Sequence, residues 1–275
     1  MESARARYES FGFTLTPRGR HIGWATANYC IMFAADYIEL LGILEPGAYS
    51  AGLDSTLAER GEGILKLALS SADADATHAF LAAKGLVSAP VADLARELEI
   101  PGNTVLPRFR LVHPAPPALP GLPGFICQHL TPDLLRQETW CVHRNTATGV
   151  ASYLVVADEP AVLRDGWARL LGPAATKLDR SRLVVETARA RLEFVASDAL
   201  ARDFAGIDGG FLKSGMIAGM RIAVADMAAA EFCLAEAGVA LLHRAGQLIV
   251  PPQHACGAIL VFEQTPRGGA GSGRP

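Results

Sequence analysis

The sequence predicts an α+β fold built by repeating one supersecondary unit, and three observations carry that prediction. One theme is written three times: GILKLALSSADADATHAFLAAKGL from Gly63, GVASYLVVADEPAVLRDGWARLLG from Gly149, and GMIAGMRIAVADMAAAEFCLAEAGV from Gly215. Each copy is an apolar strand-like run, an Asp, a stretch of amphipathic helix and a Gly, and self-similarity of this kind marks a structural module. The chain opens with ESARARYESFGF, which is the helix and closing Gly of a fourth copy. After each closing glycine (Gly12, Gly85, Gly172 and Gly238) come extended segments rich in β-branched and aromatic residues. The order strand, helix, then two or three strands, repeated, argues for mixed sheets half-covered by helices.

Taken in order, the first element is a helix over residues 1–12 with no strand before it. PRGRH reads as a loop, and TANYCIMF and YIELLGI read as strands. The second unit starts with ILKLALS. Asp73 follows it, where a carboxylate accepts hydrogen bonds from the first free N–H groups of a helix. His78, Phe80 and Leu81 give that helix an apolar stripe, and Gly85 ends it in the left-handed conformation. FRLVHP and GFICQHL are its later strands, parted by part of a Pro-rich run from Pro101 to Pro123. The third unit repeats the scheme with ASYLVVA, Asp158, the stripe Leu163–Trp167–Leu170, Gly172, RLVVET and RLEFVAS. The fourth has AGMRIAV, Asp226, Phe232 with Leu234 and Ala235, Gly238, QLIVPP and AILVFE.

These units group into a first domain over residues 1–145 and a second over 146–265. The join lacks a Gly/Ser tract, so the halves are expected to pack together. Strands of the second half are apolar almost throughout, which reads as a degenerate copy that shapes the first. Residues 266–275 lack apolar content and are expected to form a disordered tail.

Composition narrows the function classes. Half of the 275 residues are hydrophobic, enough for two modest cores or one extended one. The formal net charge of −3 gives no footprint for a nucleic-acid partner. Charges interrupt every long apolar run, so no membrane partner is expected. The start MESARARYES lacks the apolar core of a signal peptide. Five cysteines without CxxC spacing suggest reduced thiols and a cytoplasmic setting. Cys30, Cys127 and Cys256 sit in strand-like runs and read as small buried apolar residues. No nucleophile elbow, phosphate loop or dinucleotide fingerprint is present.

The run from Thr16 to Ile43 (TPRGRHIGWATANYCIMFAADYIELLGI), with CQHLTPDLL from Cys127 and VHRNTATGV from Val142, resembles the glyoxalase-like domain family of the vicinal oxygen chelate superfamily. The resemblance implies βαβββ modules whose curved sheets pair into a cup. By that scheme the first module lacks its N-terminal strand: either the natural start lies upstream, the reading favoured, or the protein does without the strand, and in both cases one sheet edge is left open. The resemblance also implies a divalent metal of unspecified identity, held by a first-strand His and a last-strand Glu of paired modules. Glu39 matches the last-strand position in the first module, and Glu193 and Glu263 fall at comparable places later. The visible first strands ILKLALS, ASYLVVA and AGMRIAV contain no His, so Glu39 stands as an incomplete ligand set.

Residue by residue, alternation puts Tyr37, Glu39 and Leu41 on one strand face. A carboxylate in an apolar strand is costly unless paired or ligated. Glu39 is therefore either a ligand or general base inside the cup, or the partner of Arg18 or Arg20. In GFICQHL, which is the counterpart of YIELLGI if the modules pair as in the superfamily, either Gln128 or His129 points into the cup. Arg18, Arg20 and His21 could hold a substrate carboxylate or phosphate from a loop, or form a solvated basic loop. Asn28 is a buried amide that needs partners, from ligand or backbone. His143 and Asn145, at the join, either cap the next strand or reach into the first cup.

Catalytic candidates are thus Glu39 and His129, and substrate-binding candidates are Arg20, His21, Asn28, Gln128, His143 and Asn145. Two function classes remain open. One is a metal-assisted enzyme of lyase, isomerase or dioxygenase type acting on a small oxygenated compound. The other is a metal-free protein that binds or sequesters a small molecule. Either is compatible with a homo-oligomer.

Overall fold

Two eight-stranded sheets carry the chain in the computed structural model, which describes residues 1–209 and 212–264. The tail expected at 266–275 lies outside them.

The first sheet follows helix α1 (Glu2–Ser10). It comprises β1 (Gly19–His21), β2 (Thr26–Met32), β3 (Tyr37–Ile43), β4 (Leu67–Ser71), β5 (Ala92–Ile100), β6 (Asn103–Val105), β7 (Arg108–Val112) and β8 (Gly124–His129). Helix α2 (Leu53–Arg60) precedes β4, and α3 (Ala74–Ala83) follows it. The strand order is β3-β2-β1-β5-β7-β8-β4, with β6 beside β5.

The second sheet comprises β9 (Ala147–Val156), β10 (Thr176–Asp179), β11 (Arg182–Glu186), β12 (Arg191–Val195), β13 (Ile217–Val224), β14 (Leu242–Arg244), β15 (Gln247–Val250) and β16 (Ile259–Gln264). Helices α4 (Arg164–Leu171), α5 (Ser197–Asp203) and α6 (Met227–Glu236) lie between them in sequence. Its order is β10-β11-β12-β9-β13-β16-β15-β14.

The repeat is visible in the pairing. In the three units that open with a strand, the first strand runs parallel to the last: β4 with β8, β9 with β12, and β13 with β16. In the first unit β3 is bonded to β2 alone among the described strands, and it forms one edge of the sheet.

The helix signals act largely as predicted. Asp73 accepts from the Ala76 N–H, and Asp226 from those of Ala228 and Ala229. Gly85, Gly172 and Gly238 all take positive φ just past their helices. Asp158 is an exception. A 3-10 turn over Pro160–Leu163 intervenes, and α4 starts at Arg164 without a side-chain cap. The cause is local: Pro160 fixes φ for a first turn but has no N–H for Asp158 to cap. The loop expected at PRGRH is likewise corrected, because residues 19–21 form β1, which bridges β2 and β5 and so joins two units into one sheet.

The halves share one core. Tyr8, Phe11 and Phe13 from the N-terminal segment, and Tyr29, Ile31, Phe33, Ile38 and Leu40 from β2–β3, pack with Met220, Ile222, Val250, Leu260 and Phe262. This uses the faces of β2 and β3 opposite to Asn28 and Glu39, and it fixes which side of the first sheet is left to form a cup.

Candidate functional site

The inner face of the first sheet is built from alternate residues of its strands. On β2 these are Thr26, Asn28, Cys30 and Met32; on β3, Tyr37, Glu39 and Leu41. β5 contributes Leu94, Arg96 and Leu98, β7 contributes Phe109 and Leu111, and β8 contributes Cys127 and His129. The apolar members pack together, closed at the Met32–Tyr37 end by Leu135 and Trp140 from the segment after β8. That segment is anchored by Arg136, which donates to the backbone carbonyls of Phe33, Ala34 and Ala35.

Polar groups gather among these residues. The Asn28 amide donates to Glu39 Oε1, and His21 Nε2 lies 3.8 Å from the same oxygen. His21 Nδ1 shares a 2.9 Å hydrogen bond with Thr26 Oγ1. Arg96 is directly opposite His21 in the β1–β5 pairing and is only 3 % exposed. Its Nη1 donates to Cys30 Sγ at 3.3 Å, and its guanidinium lies over the Phe109 ring at 5.7 Å. His129 meets Phe109 edge-on and places Nε2 3.5 Å from the Tyr37 hydroxyl. Gly19 makes this gathering sterically feasible. A Cβ on it would come 2.5 Å from Asn28 Oδ1 and 3.2 Å from Arg96 Cδ.

Three buried polar atoms of this cluster have no hydrogen-bond partner: Asn28 Oδ1, Arg96 Nε and His129 Nδ1. Buried polar groups are rarely left so, and each costs about 1–3 kcal/mol when it is. Burial works against the charge of Arg96, but neighbouring Cys30, Glu39 and Tyr37 keep its pKa raised, so the cation persists. Burial, with Arg136 and Arg96 nearby, lowers the His129 pKa to about 4. Burial also lowers that of His21, against the opposing pull of Glu39. At neutral pH the cluster therefore holds one buried guanidinium and two neutral imidazoles, next to the Glu39 side chain, which is 32 % exposed.

Of the residues singled out from sequence, Glu39, His21, Asn28 and His129 are brought together here, and four are not. Arg20 points to the other side of β1 and pairs with Glu45. Gln128 faces α3, accepting from the Ala74 N–H and donating to the Ala72 carbonyl. His143 accepts from the Thr14 N–H through Nδ1 and bonds the Met32 carbonyl through Nε2, between the Phe13 and Phe33 rings. Asn145 fastens the Phe11 carbonyl and the Ala147 N–H. Both of these fasten the join between the halves. Arg18, the other partner considered for Glu39, lies 3.6 Å from Glu99. Sequence reading missed Arg96. Its signal was present in the alternation Leu94–Arg96–Leu98, which puts one cation on an apolar strand face.

The second sheet repeats the layout with its charges neutralised. Glu193 in β12 accepts from Ser152 and Arg182 and pairs with Arg221 of β13 at 3.3 Å. Arg221 also lies 3.8 Å from Glu263 of β16. The other part of this inner face is filled by Ala199 and Leu200 of α5, with Phe204, packed on Leu154, Val156, Val195 and Ile249. A groove of about 540 Å³ between the halves is lined by Pro116, Pro117, Leu119, Leu163, Arg60 and Arg169. None of its lining residues belongs to the polar cluster.

Comparison with known proteins agrees with this architecture. The model of the glyoxalase-like domain family matches residues 1–171. The chain belongs to the glyoxalase-like domain family. No curated protein sequence matches it. Among solved structures, a hypothetical protein from Staphylococcus aureus is similar with a TM-score of 0.63 at 13 % identity, over 92 % of this chain and 91 % of that one. A variant of 4-hydroxymandelate synthase from Streptomyces coelicolor gives 0.59 at 11 % identity, over 99 % and 91 %. A xylose isomerase-like TIM barrel/4-hydroxyphenylpyruvate dioxygenase fusion protein gives 0.51 at 15 % identity, over 99 % of this chain and 48 % of that one. At these identities the structural matches establish the repeated-module fold.

Members of the superfamily commonly bind a divalent metal. An oxygen- and nitrogen-ligated ion needs several convergent donors. The cup supplies two, Glu39 and His21, and turns the Arg96 cation toward the same interior. Among the described residues no group of three His, Cys, Asp or Glu converges. The donors present do not fit a divalent ion.

Proposed function

We propose that this glyoxalase-like protein binds a small oxygenated compound in the first cup, with Glu39 as the group that accepts or moves a proton. The single observation that carries this reading is the set of unpartnered buried atoms, Asn28 Oδ1, Arg96 Nε and His129 Nδ1, on one face of the first sheet. A ligand oxygen system would complete them, and their present cost becomes binding energy on association. Glu39 supports the chemical half of the reading. Its carboxylate is oriented by Asn28, is partly open to solvent, and lies beside a neutral imidazole, which is the arrangement of a base with an orienting donor.

The same cup read as a sequestering site requires only the first half of this argument. The two are separated by one experiment: screening small oxygenated compounds for binding, then following the best binder by NMR for chemical change or deuterium exchange from D₂O. Turnover or exchange that disappears in Glu39→Gln supports the enzymatic reading. Binding with neither leaves sequestration, and no binding rejects both.

A further inference from the structure

The two cups of this chain treat their buried arginines in opposite ways. In the second, Arg221 and Arg182 are both matched by carboxylates, from Glu193, Glu263 and Asp203. In the first, Arg96 is more deeply buried than either, yet no carboxylate of the described residues comes within ion-pair distance of it. Its recorded partners are the neutral Cys30 thiol, whose pKa burial raises, and the face of Phe109. A buried cation with no carboxylate in ion-pair contact is among the most expensive features a fold can carry. With Nη1 committed to Cys30, the unpartnered Nε edge is the part left for a ligand, and that edge matches a planar carboxylate.

The geometry points to Arg96 as the built-in cation of the first cup, and to a small hydroxy-carboxylate as its ligand class. This rests on reading the first cup as the binding site. The carboxylate completes Arg96, and the hydroxyl donates to the free Asn28 Oδ1, which packs beside Arg96 against Gly19. Glu39 accepts from the amide end of the same Asn28 side chain, and so stands next to the hydroxyl in this scheme. A doubly charged phosphate suits the site less well, because one guanidinium would have to balance it beside Glu39. In this scheme the positive charge that polarises the ligand belongs to the chain itself.

The test uses the whole protein and two matched probes, lactate and its neutral isostere lactamide, in calorimetric and thermal-shift titrations. Wild-type protein is expected to bind lactate at least tenfold more tightly than lactamide. Arg96→Met should lose that preference, and Arg96→Lys should retain only part of it, because lysine keeps the charge without the fork. Equal binding of the two probes overturns the anion inference while leaving the cup a binding site. So does a lactate preference that survives Arg96→Met. Binding of neither probe, together with no binder from the oxygenated-compound screen, overturns both readings. The wild-type comparison stands even if a variant fails to fold.

Discussion

Asn28 donates its side-chain amide to the carboxylate of Glu39, and the same side chain keeps its carbonyl oxygen buried and unpartnered. One residue therefore fixes the cup's carboxylate and offers an acceptor to whatever enters.

Glu39→Gln preserves this geometry, since a glutamine oxygen still accepts from Asn28. It should change folding stability by less than about 1 kcal/mol while removing any proton-transfer activity. Denaturant unfolding and deuterium-exchange assays on the same preparation check both halves.

Gly19→Ala should be costly for its size. The added Cβ would press on Asn28 Oδ1 and Arg96 Cδ, both held by other contacts, so overpacking by one methyl is expected to cost about 1–3 kcal/mol. A lowered thermal midpoint with weakened ligand binding is the expected outcome. An unchanged midpoint would mean that Asn28 and Arg96 have room to give way around Gly19.

How much of this was legible in the sequence differs between scaffold and site. The repeat, the caps at Asp73 and Asp226, and the closing glycines are local signals, and local chemistry decided them. Asp158 misled because a 3-10 turn begun by Pro160 outcompeted the expected cap. Strand alternation correctly put Tyr37 with Glu39. Alternation gives two faces without saying which one meets the core, so Gln128 and His129 could be separated only by the docking of α3. The alternation Leu94–Arg96–Leu98 marks Arg96 as a cation on an apolar strand face, but its lack of a carboxylate partner is a long-range fact that a linear sequence does not show.

His129 gives stability a pH dependence with a definite sign. Its folded pKa is lowered from 6.5 to about 4, so between these values the unfolded chain binds the proton more readily. The stabilisation is present above about pH 6.5 and is lost as pH falls through that window toward 4, amounting to about 1–3 kcal/mol. His129→Gln should flatten the stability profile between pH 6.5 and 4. In the wild type, the imidazole carbon-bound proton resonances of His129 should titrate near pH 4 in place of the usual range.

Arg221 tests the claim that the second sheet is a self-satisfied copy. Arg221→Met leaves Glu193 facing Glu263 with less positive charge between them, and breaking a buried pair costs about 3–5 kcal/mol. A large loss of stability with unchanged binding in the first cup is the expected result. If ligand binding falls instead, the second sheet takes part in recognition.

The central claim, that ligands enter the first cup and complete Arg96 and Asn28, is tested most directly by NMR on protein labelled with nitrogen-15. Lactate and the hits from a small oxygenated-compound library would be titrated while the Arg96 Nε–H and Asn28 side-chain amide resonances are followed. The account predicts that these signals shift first and saturably, with resonances of residues 116–123 and of the Glu193–Arg221 pair unmoved. Saturable shifts confined to the groove between the halves or to the second sheet, with Arg96 and Asn28 unchanged, would contradict it.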